Sequence, residues 1–302
     1  MALSPLARAC AWINAQLPAF HVERKRETLA AAIKAVAELA HAADFLLRSA
    51  EADLVSTGRT WMSQAWAALD QGELLRELVA SNPRLLPFGA AFLPFHLCGY
   101  SNEALRSTVA LQAQRAQMGP LNWTLIVPVL RLLEIPPSPE MEQQARLLSV
   151  LHSQTSAQLM PPDAVYVLTH ECLYATGYGR YAPRCAASVA AYLQDVLPAL
   201  VSRFVDRADA DILAELILVC RVLGLPAVED RALRLLAEAQ TPAGNVLTVD
   251  SSQTNATILP RFVHPWLPRS YHTTLVAIMA WSASHPEDAV RDNVMSSHEQ
   301  TS

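Results

Sequence analysis

Lysine is nearly absent from this chain: Lys25 and Lys34 are the only two in 302 residues, so arginine supplies 21 of the 23 basic side chains. Basic residues are outnumbered by 28 Asp and Glu, leaving a formal charge of −5. Such a balance gives no footing on a phosphate backbone and disfavours a nucleic-acid partner. Charge is sparse altogether, at 17% of residues against 52% hydrophobic, which excludes a disordered chain and is ample for a large core. Glycine occurs only nine times. Val, Ile and Thr nowhere alternate with polar residues long enough to mark a sheet. No apolar run reaches the roughly 20 residues of a membrane span; Ile212 to Leu225 is interrupted by Glu215 and Arg221. The opening MALSPLARACAWINAQLPAF, broken by Arg8, lacks the layout of a signal peptide. The five cysteines, Cys10, Cys98, Cys172, Cys185 and Cys220, are odd in number and form no CxxC pair. They read as reduced, mostly buried hydrophobes of a cytoplasmic protein.

Proline, by contrast, is plentiful at 20 residues, and it falls between apolar periodic runs. A residue without an N–H that also restricts its predecessor works here as punctuation between helices. The pattern predicts helices near 5–16, 25–55, 59–69, 72–80, 88–98, 102–116, 121–134, 139–153, 162–175, 183–203, 208–223, 227–239 and 270–284. The expected fold is all-α, a stack of helical hairpins arranged as a closed α/α toroid or an open α-solenoid. One domain over 1–286 is expected, with an N-terminal helical subregion over 1–80 and a polar tail at 287–302. A long loop over 240–269 stands out, because such loops in compact domains are usually functional or mobile. Weak repetition supports stacked hairpins. Arg131-Leu-Leu-Glu-Ile-Pro136 is echoed by Arg221-Val-Leu-Gly-Leu-Pro226, and His96-Leu-Cys98-Gly-Tyr100 by His170-Glu-Cys172-Leu-Tyr174.

Two stretches carry a resemblance. Leu235-Leu-Ala-Glu-Ala-Gln240-Thr-Pro-Ala-Gly244-Asn resembles the Gln-x-x-Asp-Gly turn of α/α-toroid proteins, the superfamily of terpene cyclases and protein prenyltransferases. The helix opening at Tyr271-His272 is similar to one that often follows such a turn. Leu168-Thr-His170-Glu-Cys-Leu-Tyr174-Ala-Thr176-Gly-Tyr178-Gly179-Arg180 resembles text of an uncharacterised actinobacterial helical family that accompanies natural-product gene clusters. Together they cover roughly 165–284. Ala243 and Gly177 stand where the two patterns carry Asp. Asp206-Arg-Ala-Asp209-Ala-Asp211 departs from the Asp-x-Asp-Asp run of the cyclases, and no Asp-Asp-x-x-Asp motif is present. The resemblance therefore implies the scaffold and argues against those two reactions.

The candidate chemistry lies in isolated polar residues of apolar helices. His170 and Tyr174 share one helix face, and Tyr166 extends the row by a turn. An imidazole beside phenols could move a proton to or from a substrate; the plain alternative is a core-edge His and Tyr satisfied by backbone carbonyls. Tyr271 and His272 open a helix that is apolar on every side, hence central, where they could serve a pocket or a cap. Glu215 among Ile212, Leu213, Leu216 and Ile217 must be paired, protonated or turned to a cavity; an ion pair with Arg203 or Arg221 is the plain alternative. His170, Cys172 and His272 lack the spacing of a zinc site, and no GxSxG, GxGxxG, P-loop or HExxH occurs. Tryptophans at helical spacing, such as Trp61 and Trp66, read as core, whereas Trp123 and Trp266 near turns could rim a pocket.

These features point to an enzyme of bacterial secondary metabolism working by acid–base chemistry in a mostly apolar pocket, by cyclisation, isomerisation or elimination. His170, His272, Glu215 and Tyr174 would be catalytic; Tyr166, Tyr271, Trp266 and Tyr178 would contact a small apolar or aromatic substrate. Neither cofactor nor metal is expected, nor a membrane, and a homodimer is left open. The alternative is a non-catalytic helical-repeat protein that binds a partner protein or ligand.

Overall fold

A computed structural model of the chain describes residues 3–115, 120–182, 185–225, 230–247 and 266–283. The central part of the 240–269 loop, at 248–265, and the tail at 287–302 lie outside the described residues. Among the described residues the fold is all-α, with 14 α-helices, no strand, and a single isolated bridge between Gln240 and Val246. No described helix is long and apolar enough to cross a membrane.

The helices begin and end where local chemistry dictates. α1 (Pro5–Gln16) opens with Pro5 at its first position, and the Ser4 hydroxyl accepts from the Ala7 N–H. Helix α2 (Arg26–Leu47) is alanine-rich, and nearly every residue from 31 to 46 is buried. It ends earlier than the pattern predicts. Ser49 accepts from the Glu51 N–H and so competes with helical pairing. A fresh helix, α3 (Ala52–Ala68), then packs back on α2. Gly58, which falls in the gap between the expected helices 25–55 and 59–69, is inside α3 and buried. A Cβ there would meet the Ala43 carbonyl at 2.8 Å. Glycine is what lets the two backbones approach.

After α4 (Glu73–Ser81), Pro83–Phe92 forms a 3-10 segment, and the short α5 (Leu93–Leu97) follows. The helix expected over 88–98 is divided between the end of this 3-10 segment and α5, with Pro94 in the first turn of α5. α6 (Glu103–Arg115) and α7 (Pro120–Leu132) follow. The expected helix 139–153 splits at Ser149 into α8 (Pro139–Leu148) and α9 (Val150–Ser153). The cause is tertiary. Glu171 accepts from the Ser149 hydroxyl at 2.8 Å and from the N–H groups of Val150 and Leu151 at 3.2 Å each, capping α9. The chain continues through α10 (Pro162–Ala175), α11 (Ala187–Arg207), α12 (Ala210–Val222), α13 (Asp230–Glu238) and α14 (Tyr271–Ser282).

The repeated text encodes one kind of helix ending. Glu134 and Gly224, at φ 60° and 65°, each follow a helix whose last turn is closed by a bond from the next residue: Ile135 N–H to the Leu130 carbonyl, and Leu225 N–H to the Cys220 carbonyl. Gly99 and Gly177 end their helices in the same way.

Helix α14 is the hub. It packs on α1, α2 and α12, so the first and last described helices touch. α10 packs on α12 and α7. The chain leading to α14 is clamped onto α1 by Gln240. Its side-chain carbonyl accepts from Arg8, and its amide donates to the carbonyls of Pro5 and Gly244.

Candidate active site

Helices α2, α10, α12 and α14 enclose one small void between them. Its polar lining is Glu38, His41, His170, Tyr178, Glu215 and His272, and its apolar lining is Leu173, Leu218, Leu275, Val276 and Met279. The void measures about 40 Å³. That holds one or two waters, whereas an apolar cavity of about 150 Å³ takes a benzene molecule.

Glu215 sits between the two histidines. His170 Nδ1 lies 3.7 Å from one carboxylate oxygen and His272 Nε2 lies 3.7 Å from the other. The Thr169 hydroxyl donates to Glu215 at 2.5 Å. Neither Arg203 nor Arg221 pairs with it, contrary to the plain sequence reading. Arg203 donates to the carbonyls of Ala157 and Met160, and Arg221 donates to the Ala280 carbonyl at the end of α14. Burial opposes the ionised form of Glu215, but His170, His272 and the Thr169 bond outweigh it and lower its pKa.

The two imidazoles take opposite states. Burial works against a charge on His272, yet Glu38 at 3.1 Å, Asp211 at 3.7 Å and Glu215 raise its pKa well above the ordinary value. His272 is an imidazolium at neutral pH. For His170 burial prevails over the pull of Glu215, and its pKa falls. Its Nδ1 lies 3.0 Å from the Tyr166 carbonyl, which can only accept. The hydrogen is therefore on Nδ1, and Nε2 keeps its lone pair.

α2 contributes residues that sequence analysis missed: Lys34, Glu38 and His41. Lys34 lies 3.4 Å from Glu38. Burial opposes ionisation of Glu38, but Lys34, His272 and Tyr271 hold it well below the carboxylate range. His41 stacks on Tyr178 at 3.9 Å between centroids, and burial pushes its pKa down to about 4. A signal was available: Lys34, Glu38 and His41 recur at i, i+4 and i+7 in an alanine-rich helix. Asp211 was read only as a failed cyclase motif; here it accepts from the Thr273 hydroxyl at 2.5 Å and faces His272.

The sequence-derived candidates fall into three groups. His170, His272, Glu215 and Tyr178 line the void. Tyr166, Tyr174 and Tyr271 stand just behind it. Tyr166 packs on the His170 ring at 4.0 Å, Tyr174 meets both His170 and Tyr178 edge-on, and Tyr271 reaches Glu38. Burial raises the phenol of Tyr174 to about 12, so it stays protonated. Trp266 is elsewhere, 49% exposed and stacked on His21. Trp123 packs against the core. Cys172 is buried in the core away from the void, while Cys185 is exposed, unlike its expected burial. Gly177, where the resembling text carries Asp, forms the turn after α10 and is not in the lining. Among the described residues, no three His, Cys, Asp or Glu side chains converge as a metal ion would require.

The family described as Domain of unknown function (DUF6895) matches residues 6–282, most of the chain. No curated protein and no solved structure matches it.

Proposed function

The chain belongs to this family of unknown function, and from its site we propose that it is an acid–base enzyme acting on a small, largely apolar molecule, its own side chains serving as proton donor and acceptor. One observation carries the reading: His272 and His170 flank the same carboxylate and line the same void, and their surroundings push them in opposite directions, the neighbouring carboxylates raising the pKa of His272 and burial lowering that of His170. Donor and acceptor held in opposite states side by side are what a concerted proton shift needs. His272 gives a proton, His170 Nε2 takes one, and Glu215 holds both rings in place. The resemblance noted in the sequence makes natural-product biosynthesis the context, with isomerisation, elimination or cyclisation as the reaction type. The small void admits the reacting end of a substrate, and a larger molecule requires the lining to part.

The size of the void also favours a second reading, in which the ion network only specifies how α2, α10, α12 and α14 pair, within a protein that binds partners through its surface. Proton exchange separates the two. Incubating the protein in D2O with a panel of small ketones and enones should give deuterium at carbon adjacent to the carbonyl, and His170→Ala should abolish it without lowering the melting temperature. An absence of exchange across the panel, or exchange unchanged in the variant, supports the structural reading instead.

A further inference from the structure

A carboxylate close to His170 does not overcome the effect of burial on that ring, and the residue before it in the chain supplies a reason. Nδ1 of His170 lies 3.7 Å from one Glu215 oxygen, beyond hydrogen-bond length. The Thr169 hydroxyl stands in that gap, 2.5 Å from the same oxygen and 3.3 Å from Nδ1. It has one hydrogen to give and two acceptors in reach, Glu215 and the Tyr166 carbonyl at 2.8 Å. The ionised acceptor forms the stronger bond. The carbonyl, moreover, already has Nδ1 of His170 at 3.0 Å. Thr169 therefore donates to Glu215, and the Nδ1 hydrogen of His170 ends on a neutral carbonyl. Thr169 is fully buried, so bulk solvent does not compete for these bonds.

We propose that Thr169 is a positioning residue: by occupying the Glu215 oxygen nearest His170, its hydroxyl denies that ring a direct carboxylate partner and leaves Glu215 to His272. A hydrogen bond from an imidazole to a carboxylate favours the charged ring, and without one burial prevails. The other histidine supplies the contrast. Thr273, next to His272, likewise donates at 2.5 Å to the Asp211 oxygen that lies 3.7 Å from that ring. His272, however, also has Glu38 at 3.1 Å, and its pKa rises. The remaining groups around His170 do not replace Glu215. His272 of α14 and Lys34 of α2 oppose a charge on it, and His41 of α2 would do so once protonated. Glu38, which lines the same void, is engaged by Lys34 and His272. Tyr166 and Tyr174 flank the ring on its own helix. α7 and α9 meet α10 at Glu171, through Thr124 and Ser149. The bearing of Thr169 on catalysis rests on the acid–base reading of the same site, because a base must keep its lone pair at working pH.

Thr169→Ala removes the hydroxyl and lets ring and carboxylate close up, whereas Thr169→Ser keeps it. Side-chain NMR titration of the full-length protein reads the midpoint of His170. The Ala variant should raise that midpoint by roughly one pH unit, about tenfold in proton affinity, and the Ser variant should match wild type. An unchanged or lower midpoint in the Ala variant overturns the proposal, as does a Ser variant that behaves like Ala. If the Ala variant fails to fold, a neutron diffraction map of the wild type decides. A Thr169 hydroxyl deuteron directed at Glu215 upholds the proposal, and one directed at the Tyr166 carbonyl overturns it. Deuterium uptake by the ketone and enone panel separates this role from the catalytic reading. A raised midpoint in the Ala variant with no uptake by wild type sinks the catalytic reading alone. Uptake by wild type with an unmoved midpoint sinks the role of Thr169 alone.

Discussion

His41 should make the protein acid-labile, and the size of the effect can be worked out. An unfolded chain protonates this imidazole near pH 6.5, whereas the folded protein holds it neutral down to about 4. Burial is the cause, only partly offset by Asp44 and Glu38. Between those values the unfolded state binds the extra proton, so stability rises with pH across the window and falls on acidification. Going from pH 7 to pH 4.5, the linkage for this one group amounts to about 2 kcal/mol. Replacing it by Phe removes the titration and keeps an aromatic ring on Tyr178. Urea unfolding of wild type and His41→Phe at both pH values measures the difference. The wild type should lose about 2 kcal/mol more than the variant on acidification. His170, also depressed by burial, pushes the same way, but it is present in both proteins and cancels. Glu38 and Glu215, with lowered values, lose their contribution mainly below pH 4.5 and cancel likewise. Equal acid sensitivity of the two proteins would refute the claim that His41 is buried and neutral.

Two further outcomes follow from the packing. His272→Leu leaves Glu38, Asp211 and Glu215 facing one another without their shared cation and should cost about 3–5 kcal/mol at pH 6; since His272 is raised, its contribution is complete below pH 6.5 and fades at higher pH, so denaturant melts of wild type and variant should converge as pH rises through the folded value. Gly244→Ala should cost at least about 2 kcal/mol, because φ is +105° and a Cβ would sit 2.4 Å from the Arg8 carbonyl; hydrogen exchange should show the loss concentrated in α1, and uniform loss across the fold would contradict the clamp.

Local patterning was enough for most helices, and where it failed the cause was a remote partner or a local competitor. The split at Ser149 depends on Glu171, 22 positions away. The break at 48–51 depends on a serine hydroxyl competing with the helix, which periodicity does not register. Gly58 looks like a stop signal in text and is a contact surface in space. Within the site, the row Tyr166, His170, Tyr174 was legible because helical spacing alone puts those rings together. The role of Glu215 was legible only as a problem, a carboxylate in an apolar helix that needed an answer.

The chain by itself determined an all-α protein, its proline-marked helix ends, and which polar residues would be stranded on apolar faces, because each of these follows from interactions within a few residues. Only the tertiary structure decided what meets them. It chose histidines rather than arginines for Glu215, brought Lys34, Glu38 and His41 across from α2, and placed Trp266 away from the void. The physical reason is that helical periodicity specifies which way a side chain faces, while its partner and its protonation state depend on burial and charge contributed by helices distant in the chain.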